Sequence, residues 1–245
     1  SSTSSSSANT ESDLAYVQNK GTLVVGITEF EPMDYQNTDG EWIGFDADLA
    51  KEFAESLGVT VEFQLIDWDN KVMELDGKTI DVVWNGMTLT EDVLAAMECS
   101  QPYLINQQVV VVPADVAEDY QTEESLADLN FAVEIGSAGC EVAQANGYSY
   151  TEVADQATAL LEVASGTADA AIIDSLMAGA MIGEGTSYAD MTSTVALTSE
   201  EYGVGFRKGS DLAATLNEFL SGKYADGSIQ TLAETYGVQD ALVQE

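Results

Sequence analysis

The chain has 245 residues, 45% of them apolar, enough for one large domain or two lobes around a real core. No apolar run reaches the roughly 18 residues that a membrane span requires. Seven basic residues against 43 acidic ones give a net charge of −36, which repels nucleic acid and anionic lipid alike, so neither is expected as a partner. Such a charge reads first as a solvated, soluble surface; adaptation to high salt and attraction of cationic ligands are the alternatives. Without histidine, and with Cys99 and Cys140 far apart, a zinc site and a histidine-based triad are excluded and no cofactor is expected. The two thiols are either free and buried or, outside the cell, joined in a disulfide.

Residues 1–18 begin SSTSSSSANT and are expected to form a flexible Ser-rich tether. Leu23 to Ile27 is a β-branched strand, followed by a loop carrying Phe30, Pro32, Met33 and Tyr35 and a turn at Asp39-Gly40. Phe45, Leu49, Phe53 and Leu57 recur every four residues, which predicts a helix with one apolar face. Asp46 and Asp48 suit the dipole of its first turn, and Gly58 suits its end. Val59 to Ile66 alternates as a strand and delivers Trp68; Asp69 to Leu75 is helical and stops at Gly77. Ile80 to Trp84 is a buried strand that runs into a loop with Asn85-Gly86, Met87, Thr88 and Thr90, then a short helix and an SxPY segment ending at Tyr103. Glycine lets a backbone approach a ligand, and threonine hydroxyls lie beside free N–H groups at a helix start.

The second half echoes the first. VMELDGKTIDVVW (72–84) and LLEVASGTADAAII (160–173) both read as helix end, glycine, aspartate, buried strand. Gln107 to Val112 is a strand leaving the first lobe, and YGVGF (202–206) returns to it before two amphipathic helices marked by Leu212, Leu216, Phe219 and Leu220, then Ile229, Leu232 and Tyr236. The expected organisation is therefore lobe one from 19–108 and 201–245, and lobe two from 109–200. Strands alternating with helices imply parallel α/β sheets with ligands at the carboxyl ends of strands, where Phe30, Trp68 and Gly86 fall. In lobe two, Gly136-Ser137-Ala138-Gly139 joins a strand to a helix starting near Cys140, a junction suited to binding a carboxylate through backbone N–H groups. Asp174 ends the strand Ala170 to Ile173 and either caps the next helix or faces a ligand.

GMTLTEDV (86–93) followed by ECSQPY (98–103) resembles the G-x-T-x-T-x-x-R and D-F-S-x-P-Y motifs of extracellular solute-binding proteins, family 3, which bind polar amino acids for ABC transporters. GFDADLA (44–50) resembles that family's G-F-D-x-D-L-A signature, and the likeness extends from Gly21 to about Val238. The resemblance implies a two-lobed, type II periplasmic-binding-protein-like clamp, a monomer that delivers an amino acid or related small amine to an ABC permease. It also implies an extracellular or periplasmic location, and the Ser-rich start is like that following the lipidated cysteine of a surface lipoprotein. Asp174 matches the aspartate that receives the ligand's ammonium group.

One departure stands out: the arginine that clamps the ligand carboxylate falls here on Val93. Either Lys71 substitutes for it, unless that lysine merely faces solvent, or the ligand has no carboxylate and meets Phe30, Trp68, Trp84 and acids such as Glu29, Glu31 and Asp174 as a cation. Trp84 reads more readily as core. The expected ligand-binding set is Phe30, Trp68, Lys71, Asn85, Gly86, Met87, Thr88, Ser137, Ala138 and Asp174, with no catalytic residues. Two rival readings remain. One is a cyclohexadienyl-dehydratase-like enzyme of the same fold using raised-pKa acids such as Glu134 or Glu141 on prephenate-like acids; the other is the ligand-binding ectodomain of a sensor.

Overall fold

The computed structural model describes residues 12–244. Helix α1 (Asp13–Lys20) leads into β1 (Thr22–Ile27), a hairpin of β2 (Tyr35–Gln36) and β3 (Trp42–Ile43), and α2 (Phe45–Ser56). Then come β4 (Thr60–Leu65), α3 (Lys71–Asp76), β5 (Val82–Thr88), α4 (Glu91–Ala96), β6 (Glu98–Cys99) and β7 (Leu104–Asn106). The middle of the chain forms β8 (Gln108–Pro113), β9 (Asn130–Glu134), α5 (Ala138–Ala145), β10 (Ser149–Val153), α6 (Gln156–Ser165), β11 (Ala170–Asp174), α7 (Ser175–Met181) and β12 (Met191–Ala196). It closes with β13 (Glu200–Phe206), α8 (Leu212–Ala225) and α9 (Ser228–Thr235).

Two sheets result, one ordered β4-β1-β5-β13-β6 with β7 also on β13, the other β10-β9-β11-β8-β12. The chain crosses between them twice, from β7 to β8 and from β12 to β13. In each sheet three parallel strands are followed by an antiparallel one, β13 against β5 and β8 against β11. The echo read in the sequence falls on β5 and β11, which hold the same place in their sheets. Both are buried nearly end to end, as expected of strands covered on both faces by helices. The apolar face of α2 is buried as its spacing predicts, and Phe53 packs against Trp84 with ring centroids 5.9 Å apart. Trp84 is therefore core.

Two expectations need correction. Residues 1–11 of the expected tether lie outside the described residues, but from Ser12 onward the chain is not a tether. The Ser12 hydroxyl accepts from the Ala15 N–H at 3.1 Å and caps α1, and Val17 is fully buried. The polar run hid a helix start, because serine is as much a cap as a linker residue. Asn85 to Thr88, expected as a loop, are the end of strand β5. Thr88 pairs with Tyr202 and Met87 with Gly203, and the register then shifts before Gly205. Gly86, at φ 53, is a bulge within the ladder, whose chemistry in a sequence is that of a turn.

Arg207, the one arginine of the chain, fixes α1 to the sheet. Its guanidinium donates to Asp13 at 2.6 Å, to Asp81 at 3.0 Å and to the Ile80 carbonyl at 2.8 Å. Asp81 is fully buried and also meets Lys20 at 2.6 Å. Breaking a buried pair strands its partner's charge. We therefore expect Arg207→Ala to destabilise the protein by about 3 kcal/mol, read as a lower urea midpoint with an unchanged slope.

Candidate ligand-binding site

A cavity of about 300 Å³ lies where the ends of the strands of the two sheets face each other, and all ten residues expected at the site line it. Its first wall is built by β1 and β5. Asn85 accepts the Thr28 N–H at 2.9 Å and donates to the Thr28 hydroxyl at 2.7 Å, so most of its amide joins the two strands. The Gly86 N–H donates to the buried Asp46 carboxylate at 2.6 Å, which also accepts the Tyr103 hydroxyl at 2.7 Å. A Cβ at position 86 would lie 2.3 Å from the Phe30 ring; only glycine lets that ring close over the bulge. Asp46, read in the sequence as a dipole residue, thus anchors the binding strand to α2. Burial pushes its carboxyl up to about 7, against the lowering effect of the Tyr103 and Gly86 hydrogen bonds.

Thr90 caps α4 by accepting the Val93 N–H at 3.1 Å, and Val93 presents an apolar side chain to the cavity. Trp68 is buried. Lys71 does not simply face solvent: its ammonium lies 4.6 Å from the Trp68 ring centroid and 3.3 Å from the Trp68 carbonyl oxygen. Burial pulls it below the usual lysine range, while Glu134, Asp69 and Glu141 push it back up.

The second wall comes from β9, α5 and β11. Ser137 caps α5, its hydroxyl accepting the Cys140 N–H at 3.1 Å. A Cβ on Gly136 would fall 2.6 Å from an Asp69 carboxylate oxygen and 3.0 Å from its Cα, so the two walls touch here. Glu134 and Asp174 are the last residues of the neighbouring parallel strands β9 and β11, and both are buried. Asp174 stands at the N-cap of α7 without making a capping bond, which removes that alternative. Its carboxylate accepts from Gln108 at 2.8 Å, Gln156 at 3.1 Å and the Tyr202 hydroxyl. Burial and then the Glu200 charge push Asp174 up to about 7; burial and then the Asp174 charge push Glu134 up to about 8.

Sequence reasoning placed Glu134 and Glu141 only under the enzyme reading and overlooked Asp69 and Asp92, all four of which line the cavity. For Glu134 a signal existed: like Asp174, it is the acid that ends a buried apolar run. Cys99 and Cys140 are free, on β6 and α5, and burial pushes both thiols up, Cys99 to about 11.

Residues 23–239 match the model of bacterial extracellular solute-binding proteins, family 3. The chain belongs to this family. Its relatives include the L-cystine-binding protein TcyJ of Escherichia coli K12, 29% identical over 90% of this chain and 84% of that one. Among solved structures, a substrate-binding protein of an ABC uptake transporter from Streptococcus pneumoniae, with bound histidine, superposes with a TM-score of 0.85 at 27% identity, covering 95% of this chain and 98% of the other. An ancestral amino acid-binding protein, a precursor of cyclohexadienyl dehydratase, does so with a TM-score of 0.84 at 31% identity, covering 92% and 99%. The two-lobed family 3 architecture is thus the architecture of this chain. Among the described residues no helix is long and apolar enough to cross a membrane.

The raised carboxyls carry a stability signature. Asp46 and Asp174 titrate at about 7 and Glu134 at about 8 in the folded protein, against about 4 in an unfolded chain. Between these limits folding takes up protons, so stability is fullest at the acid end and falls as pH rises through 7–8. The ligand-free protein is expected to melt at a higher temperature at about pH 5 than at about pH 8.5. Glu134→Gln should flatten that slope in the same calorimetric series.

Proposed function

We propose that this family 3 protein captures an amino acid or related small amine outside the cytoplasmic membrane and delivers it to the permease of an ABC importer. One observation carries this reading: a cavity of amino-acid size, about 300 Å³, has at its wall a buried carboxylate, Asp174, held by neutral donors alone. A buried carboxylate without a cation is a receptor for one. Relatives named for cystine and a neighbour holding histidine support an amino-acid-like ligand. Phe30 and Trp68 pack its apolar part, Asn85 to Thr88 and Ser137-Ala138 face it with backbone groups, and Lys71 sets the charge at one side. Residues 19–108 and 201–245 form one lobe and 109–200 the other, in keeping with the two crossings between sheets. The protein acts as a monomer, held by a lipid anchor at the outer face of the cytoplasmic membrane or free in a periplasm.

Glu134, protonated up to about pH 8, favours a second reading as a dehydratase acid. Against it, a wall of carboxylates repels a prephenate-like dicarboxylate. Incubation with prephenate is expected to leave it unchanged beyond the uncatalysed rate.

The main test is calorimetric titration with the amino acid or amine that most raises the melting temperature in a screen. Asp174→Ala is expected to weaken binding by about 2–5 kcal/mol, whereas replacing the exposed Asp39 should change it by well under about 1 kcal/mol. Undiminished binding in the Asp174 variant would remove that residue from the site.

A further inference from the structure

Resting on the reading of this cavity as the ligand site, we infer that the ligand is an organic cation lacking a carboxylate: an amine such as an amino acid would become on losing its carboxyl group. Six acidic side chains line the cavity, those of Glu29, Asp69, Asp92, Glu134, Glu141 and Asp174, against the single ammonium of Lys71, and the two deepest, Glu134 and Asp174, take up their full charge only when a cation lies beside them. A ligand carboxylate entering this ring meets repulsion on nearly every side, in a place where water screens poorly.

The charged groups that would receive a carboxylate are also missing or engaged. The chain has one arginine, and it is bound to Asp13, Asp81 and the Ile80 carbonyl beside the start of β5, whereas the cavity lies at that strand's other end. Lys71 lies over the Trp68 ring and against the Trp68 carbonyl, and three of the cavity acids already oppose its charge. At the start of α5 the Ser137 N–H is taken by the Glu134 carbonyl at 3.2 Å and the Cys140 N–H by the Ser137 hydroxyl, which leaves the Ala138 and Gly139 N–H groups to face a ligand. Glu141 stands in the first turn of that helix, opposing an anion there. A cation finds the reverse: Glu134 and Asp174, buried side by side at the ends of adjacent strands, have no cationic partner within hydrogen-bond reach and are completed by an ammonium group.

Three pairs of probes decide the matter by calorimetry on the intact protein: lysine and cadaverine, arginine and agmatine, histidine and histamine. The members of each pair differ by the carboxylate alone. In at least one pair the amine is expected to bind about tenfold or more tighter than its parent. A smaller preference, or tighter binding of the amino acid, in every pair that binds would overturn the inference while leaving the protein an amino-acid binder. Binding by none of the six would overturn the reading of the cavity itself, and the inference with it. With the best-bound amine, Lys71→Met, and Lys71→Gln as a second form should the first misfold, is expected to raise affinity about threefold or more, because the ammonium that repels the ligand is gone. No gain, or a loss, in the folded variant would mean that Lys71 supports the bound amine instead of opposing it, and would overturn the inference.

Discussion

Burying an ionisable carboxyl among neutral donors is costly unless a cation arrives, and Asp174 embodies that constraint. Its three donors come from three parts of the chain: Gln108 opens β8, Gln156 opens α6, and Tyr202 belongs to β13 in the other sheet. Gln108 also donates to Glu200 at 2.6 Å, and Glu200 accepts from Thr88 and Asn106 at 2.9 Å each. The group that would meet the ligand is therefore wired into both crossings between the lobes. Any relative rotation of the lobes has to rearrange hydrogen bonds that also set the state of Asp174, so occupancy and closure are coupled through shared contacts.

The opposite wall obeys a related constraint. A bulge in β5 exposes an N–H that a regular ladder would have paired, and Asp46 satisfies it from α2. The same carboxylate holds Tyr103, which follows the β6 segment. One buried acid thus sets the helix, the binding strand and the segment leading to the outgoing crossing in register, while Gly86 admits the Phe30 ring. Both walls rely on buried acids whose hydrogen-bond donors are neutral.

Much of this was legible in the sequence because the signals are local. The four-residue spacing of Phe45, Leu49 and Phe53, the apolar runs of β5 and β11, and the glycines that end helices each report their own surroundings. The ten site residues converge on one cavity because strands of an α/β sheet present their carboxyl ends together, a consequence of topology that alternation alone implies. What escaped was non-local. Nothing near Asp46 in sequence announces Gly86 or Tyr103, and nothing near Asp69 announces Gly136 across the cavity. Ser12 was lost in a serine run because its partner in fixing the chain end, Asp211, lies almost the whole chain away. The bulge at Gly86 passed for a turn because both need the same φ.

The docking of α1 has a mechanical consequence. Phe206 pairs with Val82 at the start of β5, four residues, or about 13 Å of strand, before the bulge at Gly86, so the guanidinium of Arg207 that clasps Asp13 lies at the end of the strand away from the cavity. Tension transmitted through the residues before Ser12 is therefore borne by that ionic clasp at the base of one lobe. Asp13, Asp81 and Ile80, which the clasp joins, all lie on α1 or directly before β5, away from the two crossings. A load arriving at Ser12 therefore enters the first sheet at the strand ends opposite the cavity.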